Sequence, residues 1–403
     1  MIDIHECANG LRIVSENIPH AQSASVGVFV QVGSRNEAPH ENGLTHFIEH
    51  MLFKGTVKRS AKDIAREFDR IGGDMNAYTS KEYTCYYATV LSAHAERTVD
   101  VLADMYFNSV MNEDEIVKER QVVLEEIHMA EDTPDDDVHE QLWAVMYPGN
   151  SIGAPILGTE ETLASFNAPV IRDFMARHYI PKNTVISVAG RIQPKLIELI
   201  EKKFGTFERQ WMEEPQQTPV FVTGTSMKKK DTEQAHLCLG FPGAGLLDEE
   251  IFSAAVLNNL LGGTMSSRLF QEVREELGLA YSIYSYHSAY DDHGTFAIYA
   301  GTANDQLEQL REVIGTTIEK LRNEGIKGTE LEDSKEQLKG SLLLGLESTS
   351  ARMSRNGRQL LLLGKLEAPA EALRKIDAVT EEQVMKMLKE NFTEPAVSIV
   401  SAH

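Results

Sequence analysis

The sequence is poor in cysteine, in aromatic residues and in positive charge. Its three cysteines, Cys7, Cys85 and Cys238, are too few and odd in number for a disulfide framework, and they suit packed thiols in a reducing compartment. Lys and Arg number 39 against 61 Asp and Glu, a formal charge of -22. That balance argues against nucleic acid or an anionic membrane as the main partner, because phosphate binding needs clustered cations. No apolar run reaches the length that spans a bilayer, so no membrane insertion is expected. The opening segment, MIDIHECANGLRIVSENIPH, holds acids and lacks an apolar h-region, which fits neither a secretory signal nor an Arg-rich transit peptide. Cytoplasm is the address these absences predict.

What is present is globular. With 42% hydrophobic residues there is material for a real core, and 403 residues favour two domains of roughly 200 each. SVGVFVQVGS reads as a strand, followed by a helix from Gly43, an amphipathic helix over residues 61–71, an extended stretch NAYTSKEYTCYYATVL and two long helices from His94 to about Met129. From about residue 236 the order recurs: HLCLGFPG, FSAAVLNNLLGG, SSRLFQEVREELG, then YSIYSYHSAY and GTFAIYAGT, then helices. Gly55 matches Gly263, an offset of roughly 208 residues, which is an internal duplication rather than a solenoid period. The expected fold is α+β, two homologous domains at 1–210 and 231–403, each an antiparallel or mixed sheet covered by helices. The Pro-, Thr- and Lys-rich stretch 211–230 reads as their linker.

The helix GLTHFIEHMLFKG sets Leu44, Phe47, Ile48, Met51 and Leu52 at the spacing of one buried stripe. His46, Glu49 and His50 are left together on the adjoining face. The two histidines are one turn apart, so both imidazoles can converge on one cation, and the order HxxEH is that of an inverted zincin motif. A hydrolytic zinc needs a third ligand and an open position. In EDEIVKERQVVLEEIHMAE the apolar stripe is Ile116, Val123, Ile127 and Ala130; Glu119 and Glu126 share one edge of it, whereas Glu125 points to the opposite side. Carboxylates at the margin of a buried face need a partner, and a cation on His46 and His50 is one. Periodicity selects Glu126 or Glu119 and does not choose between them.

HFIEH followed by a Glu 76 positions after its second His, inside GLTHFIEHMLFKGT, resembles the pitrilysin-type inverzincin proteases. The likeness is greatest to the mitochondrial-processing-peptidase branch of short, two-domain, bacterial-type chains, and it extends through both halves. The resemblance implies one Zn2+ per chain on His46, His50 and Glu126, Glu49 as general base, and Glu119 as an assisting acid. It implies that Asn76-Ala77 lies on an edge strand pairing with extended substrate backbone. It also puts Arg274 and Tyr281 of SRLFQEVREELGLAYS over the scissile bond, the arginine neutralising substrate charge and the tyrosine donating to the oxyanion.

Opposite the motif, the second half carries Ala254, Leu257 and Asn258, so one active site per chain is expected. Non-catalytic processing subunits carry a long glycine-rich loop where this chain has only Gly262-Gly263. One departure from the family pattern is Asn150-Ser151, where a His-Pro pair is frequent; it bears on local substrate contacts. The expected activity is zinc-dependent endoproteolysis of peptides or unfolded segments in an enclosed chamber. The resemblance also implies a homodimer, because family members build such a chamber from four domains and this chain supplies two. The competing reading is a non-catalytic peptide-binding subunit of the same fold. The stretch 113–140 has 12 acids against Lys118 and Arg120, which suggests a preference for basic peptides if those acids line the cavity.

Overall fold

The computed structural model describes residues 2–209 and 217–402, which divide into two compact units, each with one sheet. The first unit draws on Met1–Ile127, Ala154–Gln216 and Gly345–Leu366. Its strands are β1 (Ile2–Glu6), β2 (Arg12–Asn17), β3 (Ser23–Val30), β4 (Asp74–Thr79), β5 (Thr84–Leu91) and β6 (Thr184–Gly190), in the order β1-β2-β6-β3-β5-β4. Only β2 and β6 run parallel; the other pairs are antiparallel. β3 and β6 are apolar on both faces because both faces are covered. Val26, Val28 and Val30 meet the core that holds α1 (Leu44–Leu52), α2 (Ala61–Asp69), α3 (Ala95–Asn108) and α4 (Glu113–Asp132). Phe29, from the alternate face, meets Met353, Leu360 and Leu361 of the helix Thr349–Leu363. That helix lies so close that a Cβ on Gly357 would stand 2.2 Å from the Phe29 ring, which leaves glycine as the residue that fits.

The second unit draws on His128–Gly153, Gln217–Leu344 and Glu367–His403. It contains α5 (Pro134–Met146) and strands β7 (Thr225–Lys229), β8 (Gln234–Gly243), β9 (Ala280–Ala289), β10 (Gly294–Ala303) and β11 (Ala396–Ser401). Their order, β7-β11-β8-β10-β9, repeats β2-β6-β3-β5-β4, and again only the pair corresponding to β2 and β6, here β7 and β11, is parallel. Apart from β1, which has no counterpart in the second sheet, the two sheets thus share one strand order, as a duplicated sequence requires. α5 covers one sheet face through Val138, Leu142 and Met146, packed on Cys238, Ala297 and Val400.

Two features depart from a simple division of the chain. β7 lies inside the stretch read as a linker; its alternating exposure marks a two-faced edge strand, a weak pattern over five residues. Residues 211–216 of that stretch lie outside the described residues. Each unit also includes a helix from the other half of the sequence, α5 in the second and Thr349–Leu363 in the first. All three cysteines are buried and free. Among the described residues no helix is long and apolar enough to cross a membrane.

Candidate metal centre

The site is built on α1. Leu44, Phe47, Ile48, Met51 and Leu52 are all at most 1% exposed, and burying each such side chain contributes about 1.5–3 kcal/mol. That stripe fixes the rotation of the helix and turns His46, Glu49 and His50 to its partly exposed margin. The start of α1 is fixed twice. Gly43 has φ +91, and a Cβ there would meet the Cα of Gly158 at 2.6 Å, so only glycine fits. The buried Glu37 carboxylate accepts from the N–H groups of Gly43 (2.8 Å) and Thr45 (2.6 Å) and from Nδ2 of Asn42 (3.3 Å), satisfying donors that the first turn leaves open. Burial nevertheless pushes the Glu37 carboxyl up to about 7, against the pull of those hydrogen bonds.

α4 brings the acids. Oε2 of Glu126 stands 3.8 Å from Nε2 of His46 and 3.6 Å from Nε2 of His50, and donor atoms of all three lie within 4.8 Å of one another. These separations are too long for hydrogen bonds. They are near the roughly 3.3–3.6 Å that separates ligand atoms placed about 2.0–2.2 Å from one tetrahedral zinc. Glu119, 4% exposed, takes a different place: its Oε1 is 2.8 Å from Nδ1 of His50 and its Oε2 is 2.5 Å from Nζ of Lys54. The two carboxylates that periodicity could not separate therefore differ in which histidine nitrogen they address.

Burial, with the nearby His50 charge, lowers the His46 pKa to about 3, which keeps that imidazole neutral and able to donate a lone pair. Its Nδ1 has no hydrogen-bond partner among the described residues. Burial opposes the His50 imidazolium too, but the Glu119 hydrogen bond and the charges of Glu126, Glu119 and Glu49 outweigh it and raise its pKa. Glu119 shows the converse: burial raises it, while His50 and Lys54 pull it below the ordinary carboxylate range. Burial pushes Glu49 up, and Glu126 adds to that rise, against a hydrogen bond from Oγ1 of Thr79 to its Oε2 (2.5 Å) and the His50 charge. Three carboxylates thus surround two imidazoles and one lysine. The donor types, their spacing and the local excess of negative charge fit a divalent cation.

Thr79 comes from β4, the outermost strand of the sheet, which packs on α1. It shares a strand face with Ala77 by the period of two, while Asn76 falls on the other face. Oδ1 of Asn76 accepts from the N–H of Ala77 (2.8 Å). Arg274 and Tyr281 belong to the second unit, where the guanidinium lies 4.9 Å from the Tyr281 ring centroid and 4.7 Å from that of Phe270, and Tyr281 is 79% exposed. Ala254 and Leu257 are buried core residues of that unit.

Three residues here escaped the sequence reading. Thr79 had a signal, its position two residues beyond Ala77 on the same strand. Lys54, four after His50, is at helical spacing. Glu37 had none, since its bonds reach across a loop.

A motif helix and one distal glutamate, Glu126, frame a cation-sized gap in the first of two units that share a strand order, which is the donor arrangement of a metalloprotein. Comparison with known proteins agrees: residues 12–160 match the family model described as insulinase, peptidase family M16, and residues 165–338 match that of the peptidase M16 inactive domain. The chain belongs to peptidase family M16. It is 53% identical to the uncharacterized zinc protease YmxG of Bacillus subtilis, over 100% of this chain and 98% of the relative. It is 40% identical to an uncharacterized zinc protease of Streptomyces coelicolor, over 97% of this chain and 87% of that one. The crystal structure of a protease from Helicobacter pylori superposes with a TM-score of 0.93 at 25% identity, over 100% of this chain and 99% of that chain.

Proposed function

We propose that the protein is a zinc metalloendopeptidase that hydrolyses peptides or unfolded segments, with His46, His50 and Glu126 as ligands of one Zn2+ per chain. The observation that carries this reading is the convergence of those three donors beside Glu49. The zinc names of the relatives support the choice of metal. When bound, zinc supplies Lewis acidity and acidifies water to a pKa of about 7.

The chain's own residues do the rest. Thr79 donates to Oε2 of Glu49 and leaves Oε1 to take the proton of the attacking water. Glu49, its pKa raised by burial, then passes that proton to the leaving amine. Glu119 holds His50 through Nδ1 and leaves Nε2 facing Glu126, free to serve as a ligand when zinc is bound. The outer edge of β4 at Asn76-Ala77 offers main-chain groups to an extended substrate and so reads backbone rather than sequence. Arg274 binds substrate charge and Tyr281 donates to the tetrahedral oxyanion, roles that rest on the motif resemblance. Two copies of the chain enclose the substrate, which a measured molar mass in solution tests.

Elemental analysis and chelator-sensitive cleavage of unstructured peptides test the activity. A metal-free protein that binds such peptides without cutting them would favour the non-catalytic reading instead.

A further inference from the structure

A second set of mixed metal donors lies in the first unit, away from α1 in the sequence and on different elements. His5 is the next-to-last residue of β1, Cys7 follows the strand, and Glu201 lies on the helix Pro194–Phe204. Residues two apart on an extended chain share a face, so His5 and Cys7 both address that helix. Nε2 of His5 is 3.4 Å from Oε1 of Glu201, and one donor atom from each of the three residues lies within 4.8 Å of the others. A nitrogen and an oxygen bound to one tetrahedral zinc at about 2.0–2.2 Å stand roughly 3.3–3.6 Å apart, so His5 and Glu201 already have ligand spacing.

The backbone holds this arrangement. The N–H of Cys7 donates to the carbonyl of Leu11 (2.8 Å), and the N–H of Gly10 donates to the carbonyl of Cys7 (2.9 Å), closing the turn after β1. Nδ2 of Asn9 donates to the carbonyls of Phe204 and Phe207, both at 3.0 Å, tying that turn to the end of the helix that carries Glu201. The sulfur is buried, while the His5 and Glu201 side chains are about half exposed, so the set opens to solvent on the side of its two harder donors. Glu201 and Glu6 set negative charge beside the buried sulfur, which a bound cation complements.

We propose that His5, Cys7 and Glu201 form a second metal site, taking a borderline-soft divalent cation such as zinc through one nitrogen, one sulfur and one oxygen, with a fourth position open to water. Binding releases the thiol proton, so affinity rises with pH.

The test is a Co2+ titration of the full-length protein carrying His46→Ala and His50→Ala, which removes the α1 donors. The expected result is about one equivalent bound, with thiolate-to-cobalt charge-transfer absorption that disappears in Cys7→Ser and weakens at least tenfold in affinity in His5→Gln or Glu201→Gln. No such absorption, or absorption that survives Cys7→Ser, overturns the proposal. If the double variant does not fold, zinc stoichiometry of the parent chain decides: Cys7→Ser must lower it by one equivalent, and an unchanged value overturns the site. Loss of the α1 metal alone would leave the Cys7-dependent equivalent in place, so the two sites fail separately.

Discussion

Glu119 places one oxygen 2.8 Å from Nδ1 of His50 and the other 2.5 Å from Nζ of Lys54. The contact fixes the imidazole with Nε2 turned toward Glu126, and it raises the basicity of the ring that would ligate. A carboxylate behind a ligating histidine is worth about 10–100-fold in metal affinity. Glu119→Gln is therefore expected to weaken zinc by that factor in a chelator competition, with the protein still folded. Glu126→Gln removes a ligand and is expected to weaken zinc more. Equal affinity in Glu119→Gln and the parent would show that Lys54, and not His50, is the partner that matters.

Glu49 differs from both because it meets Thr79 and not a metal donor. Glu49→Gln is expected to retain zinc and lose hydrolysis, by roughly 10²-fold or more for a lost general base. Thr79→Val offers a finer reading. Removing a hydrogen bond to the charged form raises the carboxyl pKa further. A base must be ionised to act, so the acidic limb of kcat/KM is expected to move to higher pH while the zinc content stays unchanged. A limb that stays in place would mean that Thr79 does not tune Glu49.

Glu37 carries a different pH signature. Its carboxyl is raised from 4.5 to about 7, so the native chain binds the proton more tightly than the unfolded one across that window. Stability from this group is present below 4.5 and falls as pH rises to about 7, by about 3 kcal/mol for a shift of that size. Glu37→Gln removes the titration. The difference in thermal midpoint between variant and parent should move in the variant's favour from pH 4.5 to 7. A difference that stays constant across the window would place the Glu37 proton elsewhere.

The sequence was most legible where one element makes its own case. The α1 stripe, the HxxEH face and the duplicated strand order all rest on local periodicity, and the buried stripe and matching sheets have the same form in the structure. Glu119 and Glu126 share a helix edge, and only the His50 ring, seen from both sides, separates them. Glu37 reaches Asn42, Gly43 and Thr45 across an irregular loop that no periodicity marks, and the exchange of α5 and Thr349–Leu363 between units depends on contacts distant in sequence. β7 is short and two-faced, and its pairing with β11 supplies what its own composition lacks.

Arg274 and Tyr281 supply the last test, because their contact separates two roles for the tyrosine. The guanidinium lies 4.9 Å from the ring centroid, so the ring holds the arginine whether or not its hydroxyl does chemistry. Tyr281→Phe keeps that platform and removes only the hydroxyl. If the hydroxyl donates to the oxyanion, kcat should fall by about 10²–10³-fold with KM and zinc content nearly unchanged. Tyr281→Ala should lose KM as well, since Arg274 loses one of its two ring faces. Parent-like turnover in Tyr281→Phe, joined to a raised KM in Tyr281→Ala, would assign the residue to arginine positioning alone. The assay that separates the outcomes is steady-state cleavage of one unstructured peptide by metal-replete variants.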